Sequence, residues 1–208
     1  CISNDPSFDL NPTLGKSINL DAFEPMVKIS VESKINQFIY ASSSSVYGIK
    51  KEKNVTEDMS LEPLTDYSKF KGDCEKILNK YSSDDFITTT IRPSTVCGYA
   101  KRQRLDLVVN ILTNHAFHNR EIKVFGGDQL RPNVHINDMV DSYLALLNAD
   151  HKKINGEIFN VGFNLESSRC EIAFGKLVAI ICCKLSSLCT IPVKQRPVFV
   201  SPPNKSPN

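Results

Sequence analysis

Short apolar runs alternate with segments of helical periodicity through most of the chain. Runs rich in β-branched and aromatic residues predict strands over residues 37–42, 86–98 (broken at Pro93), 121–127 and 157–162. Apolar positions spaced three and four residues apart predict helices over about 12–34, 66–81, 105–118 and 137–149, the last with Asn137 as its N-cap. Strands that alternate with helices predict a doubly wound α/β fold with a parallel sheet, in which ligands bind beyond the carboxyl ends of the strands.

Composition and charge narrow the class of partner. Of the 208 residues, 41% are apolar and 23% are charged, which is typical of a soluble globular protein. The net charge is +2, so neither nucleic acid nor an anionic membrane is expected as a partner. No apolar run reaches the roughly 18 residues that span a bilayer, and the first residues carry no signal-peptide pattern. We therefore expect a cytoplasmic protein.

The seven cysteines are expected to be free thiols, because no Cys-x-x-Cys pair gives a zinc or redox signature. His115 and His118 lie three residues apart, but no third ligand is near them in the sequence, so no metal site is expected. His135 and Asp138 stand where the fourth predicted helix begins, and structural roles are expected for both.

The end of the chain differs in composition from the rest. Residues 171–208 contain one acid, five bases and five of the eleven prolines. Such a segment is expected to be disordered at its terminus. Because the change is abrupt, a second hypothesis is a frameshift after about Ser167.

Tyr67 and Lys71 lie four residues apart within the second predicted helix, so both face the same side of it. An ammonium within a few ångströms of a phenol lowers the pKa of the phenol, which then suits proton transfer between an alcohol and a ketone. A solvated helix face gives the same spacing. Tyr47 and Lys51 share it too, but Gly48 indicates a loop there.

The segment ASSSSVYG (residues 41–48) directly follows the first predicted strand. Hydroxyl groups at the carboxyl end of a strand can donate hydrogen bonds to a substrate oxygen or to a phenolate. The alternative is an ordinary serine-rich turn.

The order of several segments resembles the extended short-chain dehydrogenase/reductase family, and within it the NAD-dependent epimerase/dehydratase group that acts on nucleotide sugars. In chain order the segments are ISNDPSFDLNPTL, SINL, FIYASSSSVYG, LTDYSKFKGDCEKIL, IRPSTVCG, RQRLDLVVN, KVFGGDQLRPNVHINDMV and GEIFNVG, and the resemblance covers Ile2 to about Leu165. It implies a partial Rossmann-type doubly wound parallel sheet with a small C-terminal substrate lobe.

The resemblance implies a catalytic set of Ser43, Tyr67 and Lys71. Tyr67 would take a proton from a sugar hydroxyl, usually at C4, and a transient keto-sugar would form with NAD as hydride acceptor; NADP is the alternative cofactor. Ser42 and Ser44 lie beside Ser43 as alternatives for its role. Tyr67, Lys71, Ser42 and Asn19 are the implied cofactor-binding residues.

The implied substrate-binding residues are Ser44, Thr95 and Arg131. Arg131 matches an arginine that contacts the substrate diphosphate, which suits a guanidinium. Thr95 stands where many family members carry a substrate-contacting Asn. Dehydratases of the group carry an Asp-Glu pair where Ser44 and Ser45 stand, so the expected activity is that of an isomerase, a UDP-glucose 4-epimerase-like enzyme.

No GxGxxG turn occurs in the sequence, so an N-terminally truncated chain is expected. The expected domains are a partial NAD-binding Rossmann domain over 1–98, a substrate-binding lobe interleaved with returning Rossmann elements over 99–167, and an atypical tail over 168–208. A homodimer through the YxxxK helix is expected by analogy. Two alternatives remain: a nucleotide-sugar reductase of the same family, and a non-catalytic fragment unable to bind NAD.

Overall fold

A computed structural model describes residues 2, 5–52, 54–124, 130–162 and 167–168. The α-helices are α1 (Asp5–Asp9), α2 (Pro12–Lys16), α3 (Phe23–Glu32), α4 (Asp66–Asn79), α5 (Val108–Asn119), α6 (Ile136–Leu147) and α7 (His151–Ile154). The strands are β1 (Gln37–Ala41), β2 (Ile87–Pro93), β3 (Thr95–Cys97), β4 (Leu130–Arg131), β5 (Asn133–His135), β6 (Glu157–Val161) and β7 (Ser167–Ser168). A π-helical turn spans Ser17–Asp21 and a 3₁₀ turn spans Ser44–Tyr47.

A three-stranded parallel sheet of order β1-β2-β6 confirms the expected α/β fold. Ala41 pairs with Ile91 and Pro93 pairs with Val161, so the three strands end at the same edge. Helix α4 makes the crossover from β1 to β2, as parallel neighbours require. This sheet belongs to the first of two compact units, which holds the chain up to Pro93 and Ser142–Val161.

The core of this unit lies between α3, α4 and the sheet. Its buried residues are Phe23, Val27, Tyr40, Cys74, Leu78 and Phe86. Phe23 and Val27 lie one turn apart on α3, so this helix presents an apolar stripe to the sheet. A fully buried side chain of this size contributes about 1.5–3 kcal/mol. The same packing sets the position of α4 against β1.

The second unit contains Ser94–Asp141. In it β3 pairs with β5 in parallel, and β4 pairs with β7 in antiparallel orientation. The predicted strand over 86–98 is confirmed as two strands that meet at the predicted break, β2 ending at Pro93 and β3 beginning at Thr95.

The helix predicted over about 12–34 is confirmed as helical over most of its length, but it is not one regular helix, because the segment forms α2, the π turn and α3 in succession. Pro25 lies in the first turn of α3. It has no N–H to donate to the carbonyl of Asp21, so a regular α-helix cannot continue through this point. The break places Asn19 in the π turn.

The predicted strand over 121–127 is also wrong over residues 121–124, which adopt no regular structure, and its remainder lies outside the described residues. Ile122 and Val124 pack instead against Leu112 of α5. Their alternating apolar pattern is therefore satisfied by burial against a helix rather than by pairing with a strand.

Helix α6 begins at Ile136, so the prediction that Asn137 is its N-cap is wrong. The imidazole Nδ1 of His135 accepts the amide N–H of Asn137 at 3.2 Å. His135 thus satisfies one of the backbone donors that a helix start leaves unpaired.

The predictions made for the tail lie outside the described residues from 169 onward, as do those for five of the seven cysteines. Cys74 and Cys97 are free thiols.

Candidate active site

Helix α4 carries Tyr67 and Lys71 and begins at a strong N-terminal cap. The Thr65 hydroxyl accepts the amide N–H of Ser68, and the Ser68 hydroxyl accepts the amide N–H of Thr65, which forms a reciprocal capping box. Tyr67 is the second residue of the helix, so this cap sets where its side chain projects from the first turn.

The ammonium of Lys71 is buried at the carboxyl end of β1. Lys71 is 9% exposed, and its Nζ donates to the backbone carbonyl of Ala41 at 2.7 Å. It lies 5.8 Å from the ring centroid of Tyr67 and 5.1 Å from that of Tyr40. The Tyr67–Lys71 pair therefore faces the carboxyl end of β1, and the alternative of a solvated helix face does not describe it.

Burial lowers the pKa of Lys71 below its ordinary value, while the negative charge of Glu75 acts in the opposite direction. Burial also raises the pKa of Tyr40, whose hydroxyl lies 3.5 Å from the carbonyl of Lys71. Tyr40 thus stays a neutral phenol beside the ammonium.

The serine loop (residues 42–48) leaves the sheet directly after Ala41. The amide of Ser42 donates to the carbonyl of Ile91 at 2.8 Å, and the chain then enters the 3₁₀ turn, in which Ser44 is half-buried. Ser43 is the N-cap of this turn: its Oγ accepts the amide N–H of Ser45 at 3.2 Å and the hydroxyl of Ser45 at 2.9 Å.

Gly48 ends the serine loop in a backbone conformation that favours glycine, with φ at 71°. A Cβ atom here would lie 2.1 Å from the carbonyl oxygen of Glu62. The amide of Glu62 donates to the carbonyl of Val46 at 3.1 Å. The returning chain therefore passes directly over Gly48 and holds the end of the loop.

A buried charged cluster joins the serine loop to α4 and β2. The hydroxyl of Ser42 donates to Glu75, and the guanidinium of Arg92 donates to both oxygens of the same carboxylate, at 3.1 and 2.7 Å. Arg92 also donates through Nη1 to the hydroxyl of Tyr47 at 2.7 Å. Removing one partner of such a buried pair costs about 3–5 kcal/mol.

Neither Glu75 nor Arg92 is among the site residues predicted from the sequence. A signal exists for Glu75, since it follows Lys71 by four residues and Tyr67 by eight, and so lies on the same face of α4. For Arg92 no spacing rule applies, because its partner is reached through the tertiary fold. Tyr47 is buried and its hydroxyl donates to Asn160 at 2.8 Å, while Lys51 is exposed, so their spacing carries no site.

Asn19 links the beginning of the chain to α4. Its side-chain oxygen accepts the amide N–H of Ile2 and its side-chain nitrogen donates to the carbonyl of Ile2, each at 2.8 Å. Its backbone carbonyl accepts the thiol of Cys74 at 3.3 Å. Of the predicted substrate residues, Thr95 is half-buried in β3, and Arg131 lies in β4 opposite Ser167 with only its backbone described. Both belong to the second unit.

Among the described residues, no helix has the length and apolar character needed to cross a bilayer. Likewise, no cluster of three histidine, cysteine or carboxylate side chains suited to a metal ion occurs in the part of the chain that the structure describes.

Residues 4–162 match the model of the NAD dependent epimerase/dehydratase family. The chain belongs to this family. A UDP-glucose epimerase from Bacillus subtilis, YtcB, described as uncharacterized, is 35% identical over 146 residues, which cover 69% of this chain and 45% of the relative. Human dTDP-D-glucose 4,6-dehydratase is 28% identical over 75% of this chain and 44% of its own length. The chain spans about half the length of the curated family members it matches.

Solved structures agree with the family. The UDP-glucuronic acid 4-epimerase from Bacillus cereus, in complex with NAD, is 29% identical with a TM-score of 0.69, over 79% of this chain and 51% of that one. The UDP-glucose 4-epimerase from Thermotoga maritima, with UDP-glucose, has a TM-score of 0.73 at 22% identity, over 99% of this chain and 63% of its own. At that identity the likeness shows the fold alone.

Proposed function

We propose that the protein is an NAD-dependent nucleotide-sugar epimerase that inverts C4 of a UDP-sugar through a transient keto-sugar, with Tyr67 as the acid/base. The observation that carries the proposal is the burial of Lys71, whose ammonium donates to the carbonyl of Ala41 and lies beside the ring of Tyr67. Ala41 is the residue immediately before the serine loop. Epimerases and dehydratases of nucleotide sugars among the family members support the same class of substrate.

In this proposal Tyr67 takes the proton of the sugar hydroxyl on its phenolic oxygen and later returns it. The positive charge of Lys71 favours the phenolate, and its effect is strong because the ammonium is removed from water. Burial lowers the pKa of Lys71, and the neighbouring carboxylate of Glu75 opposes that shift.

Ser43 is the hydrogen-bond donor to the sugar oxygen in this proposal. A hydroxyl has one donor and two lone pairs, and Ser43 Oγ already accepts the amide and the hydroxyl of Ser45. Any further hydrogen bond must therefore use the O–H of Ser43, which is the polarity needed to stabilise a developing oxyanion.

The donors of this site fit the ribose end of NAD. The ammonium of Lys71 carries three N–H groups, of which the carbonyl of Ala41 takes one, and such a group suits a diol of acceptor oxygens. Lys71 and Tyr67 would hold that ribose, with Ser42 and Asn19 as the further predicted contacts. When bound, NAD supplies reversible hydride acceptance at the sugar carbon.

Epimerisation is favoured over dehydration by the residues of the serine loop. Loss of water from a sugar needs an acid to protonate the leaving hydroxyl. Ser44 and Ser45 lie in the 3₁₀ turn where the dehydratases of the family carry acids, and a serine hydroxyl is far too weak an acid for this role. Thr95 and Arg131, together with Ser44, are proposed to contact the nucleotide sugar. The proposed domains are the partial NAD-binding domain over 1–98, the substrate-binding lobe over 99–167 and the atypical tail over 168–208.

The decisive experiment is Tyr67→Phe in the complete gene product that carries this chain. We expect kcat for interconversion of UDP-glucose and UDP-galactose to fall about 10²–10⁴-fold, as for loss of a general acid/base, while the dissociation constant for UDP changes little. Tyr81→Phe, two residues beyond the end of the same helix, is the matched control and should retain activity.

Wild-type protein that leaves all UDP-sugars unchanged at saturating NAD would contradict the proposal. Net production of NADH or consumption of NAD(P)H in step with the sugar would instead indicate the reductase.

A homodimer through α4 completes the proposal. The neighbouring helix α3 exposes Met26 (48%) and Ile29 (61%), which a second subunit would cover. Sedimentation equilibrium should give twice the mass of one chain, and a single-chain mass at micromolar concentration would contradict it.

A further inference from the structure

The carboxylate of Glu75 on α4 is the common partner of groups from two other elements, the serine loop and β2. It is buried on α4, and it accepts the hydroxyl of Ser42 at the start of the serine loop and two N–H groups of Arg92 from β2. It also lies one helical turn after Lys71. Three buried charged groups, two positive and one negative, thus lie around the base of the loop.

Such a cluster is expensive to bury, so packing alone does not explain it. An apolar replacement of similar volume is often as stable as a buried ion pair. The cluster instead fixes the orientation of the Glu75 carboxylate, because a carboxylate that accepts two N–H groups from one guanidinium and one hydroxyl is held in a single orientation.

The same cluster holds both ends of the serine loop. At the start, Glu75 takes the hydroxyl of Ser42, the residue immediately before Ser43. At the end, Arg92 donates to the hydroxyl of Tyr47, which in turn donates to Asn160 on β6. Between these two points lie only Ser43 and the 3₁₀ turn that it caps, so the cluster restrains the chain on both sides of Ser43.

We propose that Glu75 is a positioning residue, which acts through Ser42 and Arg92 to align Ser43 with Tyr67 and Lys71. This inference rests on the proposed function for its effect on turnover. The structural part of the inference does not depend on the reaction. It is that the hydrogen bond from Ser42 to Glu75 acts as a tether between the serine loop and α4.

The test uses Ser42→Ala and Ser42→Thr in the complete gene product, because Glu75→Gln leaves Arg92 buried without a counter-charge and can fail to fold. Ser42→Ala removes the tether and leaves the Glu75–Arg92 pair in place, whereas Ser42→Thr keeps the hydroxyl. We expect Ser42→Ala to lower kcat about ten- to a hundredfold, as for one lost hydrogen bond to a charged group, with KM for the nucleotide sugar within about twofold. Ser42→Thr should recover most of the lost kcat.

A second readout does not depend on activity. In hydrogen exchange followed by mass spectrometry, the peptide containing the amides of Val46 and Gly48, which donate to Ser43 and Ser45, should exchange faster in Ser42→Ala. A peptide from β2 should exchange at its wild-type rate. Faster exchange in β2 as well would indicate general destabilisation and would overturn the inference.

The outcomes separate the two proposals. If the wild-type protein is inactive on every nucleotide sugar, the proposed function fails, and faster local exchange still supports the tether while unchanged exchange overturns it. If the wild-type protein is active, a wild-type kcat in Ser42→Ala overturns the inference. A raised dissociation constant for NAD with unchanged exchange also overturns it, because Ser42 would then act only as a cofactor contact and not through the loop.

Discussion

At the scale of single residues, the environment of a side chain decides its chemistry more than the residue type does. Tyr67 and Lys71 are recognisable from a four-residue spacing, but the same spacing links Tyr47 to an exposed lysine with no such role. The difference is burial: the Lys71 ammonium lies against a strand end where its charge is poorly screened. Burial of this kind depends on residues 30 positions away, and no local pattern reports it.

A prediction at this scale concerns the thiol of Cys74. It is 0% exposed, and burial raises its pKa to about 11. At pH 8 the thiolate fraction is then about 10⁻³, so alkylation of the native protein by iodoacetamide should be very slow, and it should become fast in urea.

Mass spectrometry of the Cys74 peptide measures both rates, with the half-buried Cys97 as an internal comparison. Equal rates for Cys74 in native and unfolded protein would contradict the burial described.

At the scale of elements, segments with one strong periodicity were predictable and segments shaped by a neighbour were not. The α4 prediction succeeded because Thr65 and Ser68 cap a helix with a clear apolar stripe. The helix predicted over 12–34 is divided into three helical pieces, because Pro25 cannot donate a backbone hydrogen bond to the turn before it. The strand prediction failed over residues 121–124, because alternation only reports burial of every second residue.

Two glycines with positive φ form a matched pair for an element-scale prediction. Gly48 and Gly156 have φ of 71° and 74°, but an added Cβ meets backbone at 2.1 Å only at Gly48, since at Gly156 the nearest atom is 3.5 Å away. Gly156→Ala should lower the free energy of unfolding by about 1 kcal/mol, and Gly48→Ala by about 3 kcal/mol or more.

Urea denaturation of both variants measures the difference. Equal losses would mean that backbone strain alone, without the Glu62 contact, governs Gly48.

The capping box gives a second element-scale prediction. Thr65→Ala should cost about 1 kcal/mol of unfolding free energy, because the amide of Ser68 loses its acceptor. Thr65→Ser keeps the hydroxyl and serves as the control, and it should change the unfolding free energy by no more than about 0.5 kcal/mol, because serine caps a helix at least as well as threonine. Thermal unfolding of the two variants checks this, and equal loss in both would argue that the methyl group matters instead.

At the scale of the whole molecule, strand order and the grouping of elements depend on contacts between distant parts of the chain. The alternation of strands and helices predicts a parallel sheet, and the order β1-β2-β6 is consistent with it. The return of Ser142–Val161 to the first unit, after an excursion of about fifty residues, is not visible in any local signal.

A prediction at this scale concerns the attachment of α1 and α2. Phe8 is buried against Gly15, where a Cβ would lie 2.6 Å from its ring, and its ring centroid is 5.6 Å from that of Phe70 on α4. Phe8→Ala should lower the free energy of unfolding by about 3 kcal/mol, as for a buried aromatic.

Leu10→Ala, at 86% exposure, is the control and should change the unfolding free energy by less than about 0.5 kcal/mol. Urea denaturation measures both, and a similar small change for Phe8 would show that the N-terminal helices are not anchored through it.

The sequence by itself determined the alternation of strands and helices, the Tyr67–Lys71 face of one helix, and the hydroxyl-rich segment after the first strand, because each is written in the spacing of neighbouring residues. Only the tertiary structure decided that Lys71 is buried against Ala41 and that Ser42 and Arg92 both donate to the carboxylate of Glu75. Burial and charge pairing depend on residues brought together across the sheet, and the energy of each contact exists only once the strands are in register.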